Sequence, residues 1–152
     1  MLFEFSNQIL AAKLNLEKPK KEFFSSKIVT DSRKILKGDC FLALKGPNFN
    51  GHDFIDEALD RGASFVISEK NHPQDEKILG VNSTHECLSF LAKYQREKFE
   101  GKVVGITGSN GKTSTKLLLS SLLSDKFDPS QIYVSPGNWN NFYGLCPSLI
   151  HI

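Results

Sequence analysis

The chain contains few of the features that mark secreted or membrane proteins. Three of its 152 residues are cysteine, and Cys40, Cys87 and Cys146 lie far apart. An odd number of distant thiols does not fit a disulfide framework or a zinc site, and favours reduced, mostly buried thiols in a cytoplasm. No apolar run is long enough to span a bilayer, and residues 1–10 lack the cationic lead and apolar block of a secretion signal. We therefore expect a cytoplasmic protein without membrane insertion.

An excess of charge of one sign is also absent. Nineteen Lys and Arg residues against 17 Asp and Glu residues give a formal net charge of +2, too slight to indicate a nucleic-acid partner. The basic run of Lys18, Lys20 and Lys21 is interpreted as a solvated loop. Tryptophan occurs once, at Trp139, whereas phenylalanine occurs 12 times in mostly apolar patterns that indicate core packing. A composition of 39% hydrophobic and 24% charged residues is typical of folded soluble proteins.

The pattern of apolar residues over the first hundred positions predicts one α/β domain. Its strands are expected at 28–30, 40–44, 65–68 and 78–81, and its helices at 3–14, 53–61 and 83–99. Gly62 is expected to end the second helix in a left-handed conformation, and Ser83 and Glu86 have the spacing of a capping box. Positions 45–51 hold the Gly, Pro and Asn residues typical of a loop. Gly101 marks the predicted end of this domain.

A glycine-rich loop lies between a strand predicted at 103–107 and a helix predicted to reach Leu123, and a second strand is expected at 132–134. This context suits phosphate binding, because glycines let backbone N–H groups curl inward and the helix N-terminus adds partial positive charge. Lys112 would reach the β and γ phosphates of ATP, and Thr113 would offer its hydroxyl to Mg²⁺.

The loop departs from the strict phosphate-binding motif at one position. The motif has a glycine where this chain has Ile106, so the loop is a shortened variant that begins at Gly108. An ordinary glycine-rich turn between a strand and a helix is the alternative interpretation.

Three blocks of the sequence resemble one known family. Residues 105–114, Gly-Ile-Thr-Gly-Ser-Asn-Gly-Lys-Thr-Ser, resemble the ATP loop of the Mur ligases, which also carry the shortened form. Upstream, a series of matches to the family's N-terminal domain begins at Asp31-Ser32-Arg33 and ends at Gly62-Ala63, and residues 137–141 form the third block. Mur ligases use ATP to add amino acids to the UDP-N-acetylmuramoyl precursor of peptidoglycan. The chain most resembles the member that adds D-alanyl-D-alanine.

The resemblance implies an α/β fold class. It implies a complete Mur-ligase-like N-terminal domain at residues 1–100, followed by the first βαβ portion of a P-loop central domain at residues 101–152. In the family the N-terminal domain binds the UDP end of the precursor. Ser32 and Arg33 are therefore expected near the uridine and its phosphates, with Lys45 and Gly46 in the adjacent loop. A turn capped by Asp31 is the alternative interpretation of Asp31-Ser32-Arg33.

The resemblance also implies ATP and Mg²⁺ as cofactors, with Thr113 as a metal ligand. The residues expected at the ATP phosphates are Gly108, Ser109, Asn110, Gly111, Lys112, Thr113 and Ser114. Asn138, Asn140 and Asn141 are expected to shape the substrate groove, although turn chemistry explains them nearly as well. His52 is expected to cap the helix that follows it rather than to contact a ligand.

The family's metal-holding glutamate and histidine, and the lysine that assists them, come farther along the central domain than Ile152. We therefore expect a truncated homologue without independent ligase activity that could still bind UDP-precursor or ATP. The alternatives are an interaction or regulatory module that has lost both ligands, and half of a ligase completed in trans. An unrelated P-loop NTPase is a weaker alternative, because no acidic metal-holding residue follows an apolar strand after the loop.

Two parallel strands alone would expose apolar faces and open edges. We therefore expect the second part of the chain to be covered, most simply by a homodimer partner or by another protein. The apolar tail at 142–152 is a candidate covering element, and Trp139 and Tyr143 are candidate interface anchors.

Overall fold

The structure is a computed structural model that describes residues 4–70, 72 and 74–135. The chain divides into two compact units, Met1–Leu91 and Ala92–Ile152. Within the described residues, no helix combines the length and apolar character needed to cross a membrane.

The first unit is built on a four-stranded parallel sheet with a small antiparallel pair and a hairpin. In chain order the elements are β1 (Phe5–Ser6), α1 (Asn7–Lys13), β2 (Phe24–Ser25), β3 (Ile28–Val29), β4 (Cys40–Leu42), β5 (Lys45–Gly46), β6 (Phe49–Asn50), α2 (Ile55–Asp60), β7 (Phe65–Ser68) and β8 (Ile78–Gly80). The helix α3 (Thr84–Lys98) begins in the first unit and ends in the second. The parallel sheet has the strand order β3-β4-β7-β8. Its predicted strands are confirmed, although three of the four are shorter than predicted.

Both faces of the central strands are buried, which explains their nearly continuous apolar sequences. Cys40 pairs with Phe65 and Leu42 with Ile67, and all four side chains are fully buried. Burial raises the pKa of the Cys40 thiol well above its ordinary value and raises the pKa of Cys87 to about 12. The expectation of buried, unpaired thiols is therefore confirmed for these two cysteines.

The first predicted helix begins later than the sequence pattern indicated. Ser6 has an extended backbone and accepts a hydrogen bond from the Ile9 N–H at 3.1 Å, so it is the N-cap of α1. Phe5 and Ser6 instead pair with β2 in an antiparallel ladder. The second helix agrees better: Gly62 follows α2 with φ +95°, as expected for a left-handed cap.

Residues 45–51, predicted to be a loop, are mostly a hairpin. Lys45 pairs with Asn50 and Gly46 with Phe49 across β5 and β6. A 3₁₀ turn at Gly51–Phe54 then leads into α2. Strands of two residues carry too little alternation to be recognised in the sequence.

The second unit contains α4 (Lys112–Ser124) and a 3₁₀ turn at Pro129–Gln131. Between Gly101 and Ser135 the described chain has no strand, so the strands predicted at 103–107 and 132–134 are not found. A strand exists only when a neighbour completes its backbone hydrogen bonds, and an isolated two-stranded ribbon is marginal in water. Residues 136–152, with Trp139, Tyr143 and the predicted covering tail, lie outside the described residues.

Candidate functional site

The carboxyl ends of the four parallel strands form the first candidate site. Ligands of open α/β sheets bind at this edge, because loops from several strands meet there. Ser32 and Arg33 follow β3, Lys45 and Gly46 follow β4, and Glu69 follows β7. The topology therefore brings all four residues predicted at the UDP-precursor to one edge of the sheet.

Arg33 supplies an exposed positive charge at this edge. Its Nε and Nη2 atoms each donate to the Asp31 carboxylate at 2.9 Å, while 79% of its side chain is accessible to solvent. The bidentate pair lowers the pKa of Asp31, chiefly through the side-chain hydrogen bond. A guanidinium has about five N–H donors, and two of those of Arg33 bond to Asp31. The remaining N–H groups can donate to a phosphate group.

Ser32 has a different environment from its neighbour. Its side chain is buried, and its hydroxyl donates to Glu57 Oε2 at 3.0 Å. The other oxygen of Glu57 accepts from Arg61 Nε at 2.9 Å. Glu57 therefore ties the 3₁₀ turn at Ser32–Lys34 to α2, and the hydroxyl proton of Ser32 is already used within the protein. In this arrangement Ser32 positions the turn that presents Arg33.

The β5–β6 hairpin presents Lys45 to solvent, and its Phe49 stacks on Phe54 of the 3₁₀ turn that follows. The rings of Phe49 and Phe54 are stacked, with their centroids 5.5 Å apart and an interplanar angle of 11°. Both side chains are partly exposed. The general expectation that phenylalanine side chains pack in the core does not hold for these two rings, because an apolar pattern does not distinguish an exposed ring from a buried one.

His52 connects the hairpin to the end of β7. Its Nε2 accepts from the Glu69 backbone N–H at 3.0 Å, so Nε2 carries no proton and Nδ1–H donates to Asn50 Oδ1 at 2.9 Å. Burial is the largest cause that lowers the pKa of His52 below its ordinary value of 6.5. The expectation that His52 caps the following helix is wrong, because the N-cap of α2 is Phe54, which makes no side-chain cap bond. Asn50 is the N-cap of the preceding 3₁₀ turn, and its Oδ1 accepts from the His52 N–H.

Glu69 was not singled out from the sequence, although a carboxylate directly after a buried strand is a recognisable signal. Its Oε1 accepts from the Thr84 backbone N–H at 2.8 Å and from the Thr84 hydroxyl at 2.9 Å. These bonds lower the pKa of Glu69, with the backbone bond the largest cause. Glu69 therefore has two contacts: its backbone N–H donates to the His52 ring, and its carboxylate accepts from Thr84 in the first turn of α3.

A cavity of about 540 Å³ lies at the opposite, amino edge of the sheet, lined in part by Lys37, Gly38, Ser64 and Lys77. These residues precede strands rather than follow them. The cavity is wide open and contains none of the predicted precursor residues, so the carboxyl edge remains the better candidate.

The glycine loop of the second unit is the other candidate site. Gly108 has φ +151° and Gly111 has φ +78°, backbone conformations that residues with a Cβ rarely adopt. Gly111 is the N-cap of α4, and the Thr115 N–H donates to its carbonyl oxygen at 2.8 Å. The loop therefore opens directly into a helix N-terminus, where N–H groups without helical partners favour anions.

Lys112 is the first residue of α4, and its side chain folds back over the loop. Its ammonium group donates to the carbonyl oxygen of Gly108 and, at 3.4 Å, to that of Ser109. The positive charge is therefore held above the same turn whose backbone would face phosphate oxygens.

Thr113 is the residue of this loop that was predicted to bind Mg²⁺. Within the described ranges, no group of three or more His, Cys, Asp or Glu residues could hold a metal ion. The described residues therefore contain no metal site built from these four residue types alone. Asn138, Asn140 and Asn141, predicted at the substrate groove, lie outside the described residues.

Comparison with known proteins defines the class to which this arrangement belongs. Residues 26–96 match the family described as "Mur ligase family, catalytic domain". This range contains the parallel sheet, Arg33 and the β5–β6 hairpin. The chain belongs to the Mur ligase family.

Within that family, several relatives carry one particular activity in their names. The UDP-N-acetylmuramoyl-tripeptide–D-alanyl-D-alanine ligases of Rickettsia prowazekii and Bacillus subtilis are 44% and 34% identical over 121 residues, 78% of this chain. The chain spans only 26% of the length of either relative.

Solved structures lead to the same subgroup. A MurF crystal structure from Acinetobacter baumannii matches with a TM-score of 0.81 and 34% identity, covering 99% of this chain and 34% of that one. MurF ligase from Thermotoga maritima, solved in complex with ADP, matches with a TM-score of 0.71 and 43% identity over 82% of this chain and 28% of its own. The mixed α/β fold with a parallel sheet is therefore that of MurF ligases.

Proposed function

We propose that the chain supplies the UDP-precursor site and the ATP-phosphate loop of a ligase that adds D-alanyl-D-alanine to UDP-N-acetylmuramoyl-tripeptide. Residues 1–100 would form the precursor-binding domain and residues 101–152 the beginning of the ATP-binding domain. The observation that carries the proposal is the exposed Arg33 beside the β5–β6 hairpin at the carboxyl edge of the sheet, in a chain related to ligases of this name. The Thermotoga maritima relative in complex with ADP supports ATP for the glycine loop.

The precursor site is tested by Arg33→Ala. Loss of a charge-assisted hydrogen bond to a diphosphate costs about 1.5–3 kcal/mol, so binding of UDP-N-acetylmuramoyl-tripeptide should weaken by about 10- to 100-fold. Isothermal titration calorimetry at low salt measures the change. Lys37→Ala is the matched control, because it removes one exposed positive charge at the amino edge of the same sheet and should leave the dissociation constant unchanged. Equal effects of the two substitutions would contradict the assignment.

Ligation requires more than binding. ATP must phosphorylate the precursor carboxylate before an amine attacks the acyl phosphate, and phosphoryl transfer needs positive groups that neutralise the developing charge. The described residues offer Lys112 but no metal-holding cluster. We therefore infer that a polypeptide of residues 1–152 does not join D-alanyl-D-alanine to the precursor. Product formation by the purified polypeptide with Mg-ATP would contradict this. Product formation only after a second chain is added would support a ligase completed in trans.

A non-catalytic interaction module is the second candidate function, favoured by apolar side chains exposed on the second unit. Leu117, Leu118 and Leu122 on α4 are each 60–67% exposed, and no residue of this helix is buried. Contiguous exposed apolar surface marks a protein contact. A module that has lost both ligands would bind neither the tripeptide precursor nor Mg-ATP in the same calorimeter.

A homodimer is the simplest covering partner for α4. If two copies pair through this helix, Leu118→Glu with Leu122→Glu should turn a dimer into a monomer, because two carboxylates would be buried without partners. Light scattering after gel filtration measures the mass. Lys126→Glu, on the exposed segment after the same helix, is the control for added negative charge. A monomeric wild-type chain at micromolar concentration would exclude the dimer.

A further inference from the structure

We propose that His52 is a positioning residue for the precursor site: its imidazole holds the β5–β6 hairpin, with Lys45 and Gly46, against the carboxyl end of β7. This inference rests on the proposed precursor site and adds to it a residue that controls the site's geometry. The carrying observation is a pair of hydrogen bonds from one buried ring to two different elements.

The first contact joins the ring to the sheet. The His52 Nε2 accepts from the Glu69 backbone N–H at 3.0 Å, directly after β7 ends at Ser68. The second contact joins the ring to the hairpin, because Nδ1–H donates to Asn50 Oδ1 at 2.9 Å and Asn50 is the last residue of β6. The ring is thus a bridge between the hairpin and the carboxyl end of β7, an inner strand of the sheet.

The bridge works only when the imidazole is neutral. A backbone N–H can only donate, so protonation of Nε2 would bring two donors face to face and leave the Glu69 N–H without its acceptor. The residue is only 8% exposed, so water does not readily replace the lost bond. Protonation should therefore release the hairpin from β7.

Several charged groups act on the ring from the elements around it. Glu69, at the end of β7, and Asp53, in the 3₁₀ turn, raise the pKa of His52. Lys70, also after β7, and Lys45, in the hairpin, lower it, and burial lowers it most. The folded pKa is therefore below the ordinary 6.5, and the contact is complete above that pH and is lost as the pH falls through the folded value.

The position of the hairpin matters because it carries Lys45, one cation of the proposed site. Lys45 and Gly46 form β5, which pairs only with β6 in its two-stranded sheet. Lys70 and Asp53 add a second, exposed connection at 3.7 Å, and an exposed pair of this kind contributes little. His52 is thus the buried side chain that fixes this hairpin to β7.

The test combines nuclear magnetic resonance with calorimetry on the whole chain. Ring-nitrogen spectra should report Nε2 as unprotonated at pH 7.5, and titration to pH 5 should move the backbone amides of Glu69, Lys45 and Gly46 with one shared midpoint. The dissociation constant for UDP-N-acetylmuramoyl-tripeptide should rise about tenfold through that same midpoint. In His52→Gln the step in affinity should disappear. His85→Gln should keep the step, although His85 also acts electrostatically on Glu69.

The outcomes separate this inference from the proposed function. If the precursor does not bind at any pH, the precursor site is wrong, while the shared amide midpoint still tests the bridge. If the precursor binds but neither its affinity nor the amides of Lys45 and Gly46 follow the protonation of His52, the positioning role is wrong. The titration of the wild-type chain needs no variant, so it tests the positioning role of His52 even if His52→Gln fails to fold.

Discussion

Lys112→Ala is expected to weaken binding of ADP or ATP to the chain by about 10- to 100-fold, the value of one charge-assisted hydrogen bond to phosphate. The side chain begins α4 and folds over the loop, where its ammonium group donates to the carbonyl oxygens of Gly108 and Ser109. A phosphate bound by the loop amides would lie within reach of this charge and replace the two carbonyls as its partner. Calorimetry with Mg-ADP measures the loss.

Lys126→Ala is the matched control for this experiment. Lys126 is an exposed lysine just beyond the C-terminus of α4, so its removal changes the net charge equally and leaves the loop intact. A selective loss in Lys112→Ala supports phosphate contact. If both variants bind as the wild type does, the loop is an ordinary turn between two segments, and the nucleotide site must be withdrawn.

The second large effect is expected from Gly51→Ala. A Cβ at this position would lie 2.7 Å from the carbonyl oxygen of Leu44 and 2.8 Å from its nitrogen, and both are backbone atoms that cannot rotate away. The Gly51 N–H also donates to that oxygen at 2.7 Å. The substitution must therefore separate the 3₁₀ turn from the end of β4. We expect a loss of about 3 kcal/mol in the free energy of unfolding, the upper end of the usual cost of overpacking.

Urea denaturation followed by circular dichroism measures this loss. Gly46→Ala is the control, because a Cβ there meets its nearest neighbour, Phe49 O, at an ordinary 3.9 Å. It should change the free energy of unfolding by less than about 0.5 kcal/mol. A Gly51→Ala protein as stable as this control would show that the turn can move without cost, and would weaken any argument that the hairpin has a fixed position.

Local sequence patterns were sufficient to predict strands, helix ends and helix caps that depend on a few neighbouring residues. Residues 65–68 form a strand with the predicted bounds, since three consecutive apolar residues between turn signals, here Phe65, Val66 and Ile67, have few alternatives. Gly62 was assigned its left-handed conformation from its place after a helical pattern. The Glu86 N–H likewise donates to Ser83 Oγ at 3.2 Å, as half of a capping box does.

Contacts between distant residues could not be predicted in this way. The bond between His52 and the Glu69 N–H spans 17 positions, and the bond between Ser32 and Glu57 spans 25. Each depends on how the strands are ordered in the sheet, which no local period encodes. The sequence therefore did not reveal that the Ser32 hydroxyl donates to Glu57 on α2. The place of Ser32 at the precursor stays a prediction.

The apolar run at 103–107 illustrates a different limit. Apolar β-branched residues indicate that a segment can form a strand, but a strand also requires a neighbour that completes its hydrogen bonds. Among the described residues of the second unit no such neighbour is present, and Val104 is 63% exposed. The apolar pattern therefore shows that residues 103–107 could form a strand if a neighbouring strand were present, but not that they do.

The two buried thiols of the first unit can be used to measure how often the surrounding structure opens. Cys40 lies within the sheet and Cys87 on α3, and burial keeps both in the protonated, unreactive form. An alkylating reagent can therefore modify them only during the moments when the sheet opens. When the reagent reacts faster than the structure closes, the rate of alkylation equals the rate of opening, and it can be measured without denaturant and with a ligand bound.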